Sequence, residues 1–252
     1  RSEATGVGRD DAARPRVALV TGAAHRVGRA LAVALGGRGM RVAVHFRSDP
    51  AAAAETCRLV EAAGGGAEAF AADLAEASAP GALIRTVADR FGRLDVLVNS
   101  AGVMVRTPVA EVTTEAWDAM FAINLRAPFF CAQAAAAVMP EGSAIINIAD
   151  LAALETWPAY VPHGISKAGV VQMTRALARA LAPRIRVNAI APGTVLLPEG
   201  WSHADAERLR STTPLQRNGS PEDVARAMLY LLDADFVTGE TIVVDGGRHV
   251  RV

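Results

Sequence analysis

The sequence predicts one α/β domain, a doubly wound parallel sheet of about seven strands with helices on both faces. Short runs rich in Val, Ile and Leu alternate with longer Ala/Leu/Arg stretches of helical character, which implies parallel strands joined by right-handed crossovers. The strand-like runs are apolar almost throughout, as expected for a sheet covered on both sides. A glycine cluster lies directly between the first strand and the first helix.

The elements follow in order. Residues 17–21 read as a buried strand, 22–28 as the glycine turn, and a helix continues to about residue 37. Residues 41–45 form the second strand and 49–63 its helix; 68–72 form the third strand, with Asp73 just after it. A helix over 79–91 precedes the fourth strand at 95–99, and a long helix within 115–139 precedes the fifth at 143–148. Residues 163–181 are helical, 186–190 form the sixth strand and 241–244 the last. No repeat or linker divides residues 16–252; residues 1–15 are polar and read as a loosely attached arm.

Composition narrows the function classes. A 252-residue chain that is 51% hydrophobic can bury one sizeable core. A net charge of zero with no basic stripe argues against a nucleic-acid partner. No apolar run is read as a membrane span, and residues 1–16 lack an apolar signal region. Cys57 and Cys131 lie far apart in helical patterns and read as buried thiols, which fits a reducing, cytoplasmic setting. His25, His45, His203 and His249 show no metal-ligand spacing, so no metal is expected.

The turn Thr21-Gly22-Ala23-Ala24-His25-Arg26-Val27-Gly28 lets the backbone approach a pyrophosphate, and the helix start supplies free N–H groups and the positive end of a dipole. This makes the sheet Rossmann-like. Arg26 stands where many such turns carry glycine, and its guanidinium suits a dinucleotide with extra negative charge. The second strand ends in Arg47 and Ser48, a cation and a hydroxyl suited to a 2′-phosphate, which favours NADP/NADPH over NAD. Asp73, followed by Leu74, is placed to accept from an adenine amino group. Asn99, Ala101 and Gly102 bring small residues and backbone to the cofactor, as do Pro192, Gly193 and Thr194 after the sixth strand.

Lys167 is the only lysine among 26 basic residues. Arginine cannot replace the compact, rotatable ammonium everywhere, so a single retained lysine marks a position that needs one. Taken together, Thr21-Gly22-x-x-x-Arg26-x-Gly28, Asp73, Asn99-x-Ala101-Gly102, Asn124, Lys167, Pro192-Gly193 and Val244-Asp245-Gly246-Gly247 resemble the short-chain dehydrogenase/reductase family from residue 17 onward. Arg26, Arg47-Ser48 and the C-terminal stretch look most like its pteridine-reductase-like branch. The resemblance implies a homotetramer or homodimer. It also implies an active site of Ser, Tyr and Lys helped by Asn, with the Lys binding the nicotinamide ribose. Asn124 and Lys167 match. The tyrosine position, four before Lys167, holds His163, and the serine position, thirteen earlier, holds Asp150. A carboxyl at the serine position has a precedent in that branch; the histidine departs from the common pattern.

Asp150, His163 and Lys167 group an imidazole with a carboxylate and an ammonium, a set able to give or relay a proton near neutrality. A carboxylate beside the reacting carbon favours an iminium and opposes an alkoxide; two charges ~4 Å apart at an effective dielectric near 20 interact by roughly 4 kcal/mol. The expectation is therefore an NADPH-dependent reductase of C=N bonds acting on a small imine, with a ketone or pteridine reductase, or a catalytically silent nucleotide-binding protein, as the alternatives. Tyr160, three residues before His163, is a second candidate for the lost phenol. Met104 falls where the branch usually stacks an aromatic ring on a pterin, which argues for a less flat, more apolar substrate. Trp157 and Trp201 are candidate substrate contacts, the latter in a segment, 195–214, read as a mobile lid.

Overall fold

A computed structural model describes residues 14–195 and 202–250. Its strands are β1 (Val17–Val20), β2 (Arg41–Phe46), β3 (Gly66–Ala71), β4 (Val96–Asn99), β5 (Ser143–Ile148), β6 (Ile185–Pro192) and β7 (Thr241–Val244). They form one parallel sheet in the order β3-β2-β1-β4-β5-β6-β7. The helices are α1 (Arg26–Gly36), α2 (Pro50–Ala62), α3 (Ala79–Phe91), α4 (Thr114–Phe121), α5 (Ala127–Val138), α6 (Val161–Leu181), α7 (His203–Thr212) and α8 (Pro221–Asp233).

Successive strand residues serve opposite faces. Ala18 and Val20 pack with Leu31, Leu35, Val60, Met228 and Leu231 of α1, α2 and α8. Val17 and Leu19 pack with Leu83, Ile84, Val87, Cys131 and Ala135 of α3 and α5 on the other face. Both sides of the sheet are thus dry, and the unbroken apolar strands follow from that. Chain order reverses at β1, which has β2 on one side and β4 on the other. In such sheets ligands bind outside the carboxyl ends of the strands at this switch point.

Two sequence expectations change here. The long helix expected within 115–139 is α4 and α5 joined by a π-helical turn, Ala122–Arg126. Together they make a 25-residue helix, Thr114–Val138, apolar and long enough to cross a membrane by composition, which corrects the reading that no segment qualifies. Its apolarity has a local cause: Ala127, Pro128, Cys131, Ala132 and Ala135 are buried within the domain. Part of the segment expected as a lid, residues 195–214, is the helix α7, with a capping box in which Ser202 and Asp205 bond each other's backbone amides. Both cysteines are free; Cys131 is buried, which pushes its thiol up to about 12, whereas Cys57 is only partly buried, short of the buried thiol expected.

Candidate active site

A cleft of about 590 Å³ opens at the carboxyl ends of β1, β4, β5 and β6. Its first wall is the glycine turn. Gly22 has a φ of +66°, and a Cβ there would lie 2.8 Å from Ala101 Cα; a Cβ on Gly28 would lie 2.2 Å from Gly22 O. No side chain fits at either place, so the backbone of the turn, the 101–102 loop and the start of α1 meet directly. Arg26 holds a φ of +51° although it is not glycine. That conformation costs a non-glycine residue roughly 1–2 kcal/mol, and strain of this kind clusters at ligand sites.

Neighbouring side chains brace the turn. Thr21 Oγ1 accepts from Ser100 N and Ala101 N, both at 3.0 Å. Arg29 donates to Ala24 O at 2.6 Å and to Thr56 Oγ1 at 3.0 Å, tying the turn to α2. The His45 ring accepts from Gly22 N at 3.0 Å. His25 Nε2 lies 3.0 Å from Asp49 Oδ2 at the exposed rim. The turn motif includes Thr21, and His45 is read only for metal-ligand spacing; neither of these nor Arg29 is assigned a bracing role from the sequence. The one available signal for His45 was a polar residue inside the apolar run Val-Ala-Val-His-Phe.

The second wall carries Asp150, His163 and Lys167, all lining the cleft. Asp150 caps the 3₁₀ turn Leu151–Ala153: its Oδ1 accepts from Ala152 N at 2.8 Å, which leaves Oδ2 facing His163 Nε2 at 3.6 Å. His163 is 2% exposed, and its Nε2 is buried without a hydrogen-bond partner among the described residues. Its Nδ1 lies 3.2 Å from Val103 O. Asn124 Nδ2 lies 3.4 Å from the same nitrogen, so an acceptor and a donor both face Nδ1. Nε2 and Oδ2 face each other across a gap just too long for a direct hydrogen bond.

Lys167 is 7% exposed and donates to Ile148 O at 2.9 Å. Burial lowers its pKa to about 8, with the Asp150 charge pulling the other way. Asn124 sits in the π-helical turn, which turns its amide inward; such turns recur at functional sites. Its Oδ1 accepts from Val103 N and its Nδ2 donates to Val103 O, each at 2.9 Å, so it holds the strip that His163 Nδ1 also touches. Ser166 Oγ, 3.1 Å from Asn124 Nδ2, donates to His163 O at 2.7 Å. Beneath them Asn99 Nδ2 donates to Asn147 Oδ1, and Asn147 Nδ2 to Thr174 Oγ1, both at 2.9 Å, which locks β4, β5 and α6 together.

The structure brings Gly22, Arg26, Val27, Gly28, Ala101, Gly102, Met104, Asp150, Trp157, His163, Lys167, Pro192, Gly193 and Thr194 to this one cleft. Asn99 and Asn124 lie behind its walls. Arg47 and Ser48 are exposed beyond the end of β2, Asp73 follows β3 with its Oδ1 accepting from Ala75 N, and Leu74 is buried. Tyr160 does not line the cleft. It precedes α6, pairs with Thr107 and stands edge-on to Trp157 with ring centroids 6.2 Å apart. Trp201 lies outside the described residues. Among the described residues no group of histidine, cysteine and carboxylate side chains could hold a metal.

A nicotinamide dinucleotide fits this cleft on three counts. Glycines clear space for a pyrophosphate, the start of α1 points N–H groups at it, and Lys167 stands opposite with a buried cation.

Comparison with known proteins agrees. A family profile described as enoyl-(acyl carrier protein) reductase matches residues 22–249. The chain is 37% identical over 238 residues to a 3-oxoacyl-[acyl-carrier-protein] reductase of Synechocystis sp., covering 92% of this chain and 96% of that protein. It is 37% identical to 3beta-hydroxysteroid dehydrogenase 1 of Eggerthella lenta, covering 94% and 95%. The structure of the angucycline C-6 ketoreductase LanV with bound NADP superposes with a TM-score of 0.87 at 36% identity, covering 94% of this chain and 96% of that one.

Proposed function

From the premise that the chain belongs to the short-chain dehydrogenase/reductase family, we propose that it is an NADPH-dependent reductase of ketones, with His163 as the proton donor. The observation that carries this reading is the buried, unpartnered His163 Nε2 facing Asp150 Oδ2 at 3.6 Å inside the cleft.

Charge at Asp150 alone favoured an imine. Its partner reverses the balance. A proton on His163 Nε2 would offset the Asp150 charge, reduce the penalty on a developing alkoxide and supply an N–H donor. Lys167 adds a cation a helical turn away on α6. The relatives above are named for 3-oxoacyl, hydroxysteroid and keto chemistry, which points the same way. The pteridine-reductase-like branch draws no support from them.

In this mechanism the bound nicotinamide supplies the hydride. Asp150 faces His163 and offsets the charge of its protonated form; His163 Nε2 gives its proton to the carbonyl oxygen as negative charge develops there. Asn124 fixes the Val103 strip that His163 Nδ1 bonds, and Lys167 binds and orients the nicotinamide ribose. Met104 and Trp157 make the substrate wall apolar, which suits a hydrophobic ketone better than a flat, polar ring system. Arg26 with Arg47 and Ser48 selects NADPH. A homotetramer or homodimer is part of the same proposal.

The test is NADPH consumption with a cyclic ketone and its matched cyclic imine. Faster turnover of the ketone is expected. Faster imine turnover would restore the reading from Asp150 charge alone, and consumption with neither would leave a nucleotide-binding protein without this chemistry.

A further inference from the structure

His45 lies in the middle of the domain, 3% exposed, with no part in the proton transfer above. Its Nδ1 is 3.0 Å from Gly22 N, and its Nε2 is 3.1 Å from Ala72 O. A backbone amide only donates and a carbonyl only accepts, so these partners assign the tautomer: Nδ1 bare, Nε2 protonated. His45 O also accepts from Ala23 N at 2.8 Å. One residue of β2 therefore engages two successive amides of the glycine turn.

We propose that His45 is a positioning residue for dinucleotide binding, holding the phosphate-binding turn in shape by accepting from the Gly22 amide. This rests on the reading of the cleft as a dinucleotide site. With Gly22 N and Ala23 N bonded to His45, the first turn of α1 still offers N–H groups to an anion. The far side of the ring reaches Ala72, next to Asp73, so one imidazole ties the turn to the loop after β3. Burial lowers the affinity of the ring for a second proton, while the Ala72 carbonyl and the Asp73 charge raise it. The neutral form is the one this geometry needs, because a proton on Nδ1 would oppose the Gly22 N–H.

Two conservative variants separate the ends of the ring. In His45→Asn the amide oxygen falls near the place of Nδ1 and still accepts from Gly22. In His45→Gln the amide falls near Nε2 and keeps Ala72 alone. NADP+ binding to the purified chain is measured by calorimetry, with thermal melting as the stability control. The Gln variant should weaken binding about tenfold or more, while the Asn variant stays within about threefold of the native chain. Equal weakening in both, weakening in neither, or greater weakening in Asn would overturn the proposal. A native chain that binds no NADP+ would instead overturn the dinucleotide reading. The tautomer is read independently in nitrogen-15 spectra of the native chain, where one of its five histidines should show a bare Nδ1 and a protonated Nε2, lost in the Asn variant. A protonated Nδ1 at His45 would overturn the proposal even if the variants failed to fold.

Discussion

His163 Nε2 lies 3.6 Å from Asp150 Oδ2, beyond hydrogen-bond reach, with both groups on the wall of the same cleft. The gap leaves room for a third atom to bridge the two groups.

Replacing Asp150 with Asn keeps the size of the side chain and removes the charge that steadies a protonated His163. Ketone turnover, read as kcat, should fall by about tenfold or more, while the dissociation constant for NADP+ stays nearly unchanged. A fall confined to cofactor binding would contradict the pairing.

Replacing His163 with Phe removes the donor and should lower kcat for the ketone by about a hundredfold. His163→Tyr puts a phenol at the same helical position and should recover part of that loss or exceed the native rate. Steady-state kinetics on the same ketone checks both, and a tyrosine variant as inactive as the phenylalanine one would count against the assignment.

Lys167 makes two pH effects of opposite sign. Its pKa is lowered by burial to about 8 from an ordinary 10.5, against the opposing Asp150 charge. Above about pH 8 the folded chain loses the cation, so kcat/KM for NADPH should fall along an alkaline limb near that value. Between 8 and 10.5 the unfolded chain still holds the proton that the folded chain has lost, so the contribution of Lys167 to stability should rise with pH over the same window. Denaturant titrations beside the rate profile test the pair; in Lys167→Met both dependences should vanish.

Arg47 is exposed just past β2. Arg47→Asp should shift the ratio of kcat/KM for NADPH and NADH toward NADH by about tenfold or more, since the carboxylate repels a 2′-phosphate and accepts from a 2′-hydroxyl. An unchanged ratio would remove Arg47 from cofactor selection.

Gly28→Ala would place a methyl group 2.2 Å from the Gly22 carbonyl oxygen, a contact of backbone on backbone that no rotamer relieves. A loss of more than about 2 kcal/mol in stability is expected, measured by chemical denaturation, together with loss of NADP+ binding. Gly37→Ala, whose Cβ would meet nothing nearer than 3.5 Å, should leave both close to native and serves as the control.

Much of this was legible in the chain because its signals are local. Val-Ala-Leu-Val followed by a glycine turn and an amphipathic run reads as strand, turn and helix without any knowledge of neighbours, and α3, β5 and β7 fall where the pattern puts them. Lys167 announced itself as a lone lysine, and His163 lies one helical turn before it on the same face. The break in the long helix at Asn124 was not legible, because a π-turn is set by what the amide bonds across space: Val103 and Ser166. The bracing of the glycine turn by His45 and Arg29 was hidden for the same reason.

The one-dimensional pattern by itself determined the doubly wound sheet, the glycine turn and the residue types available for chemistry, since apolar periodicity and backbone freedom are properties of short segments. Only the folded arrangement decided what Asp150 means. Alone it is a negative charge that rewards a cation; the fold sets it 3.6 Å from a buried His163, and the energy of a charge depends on what stands within a few ångströms of it.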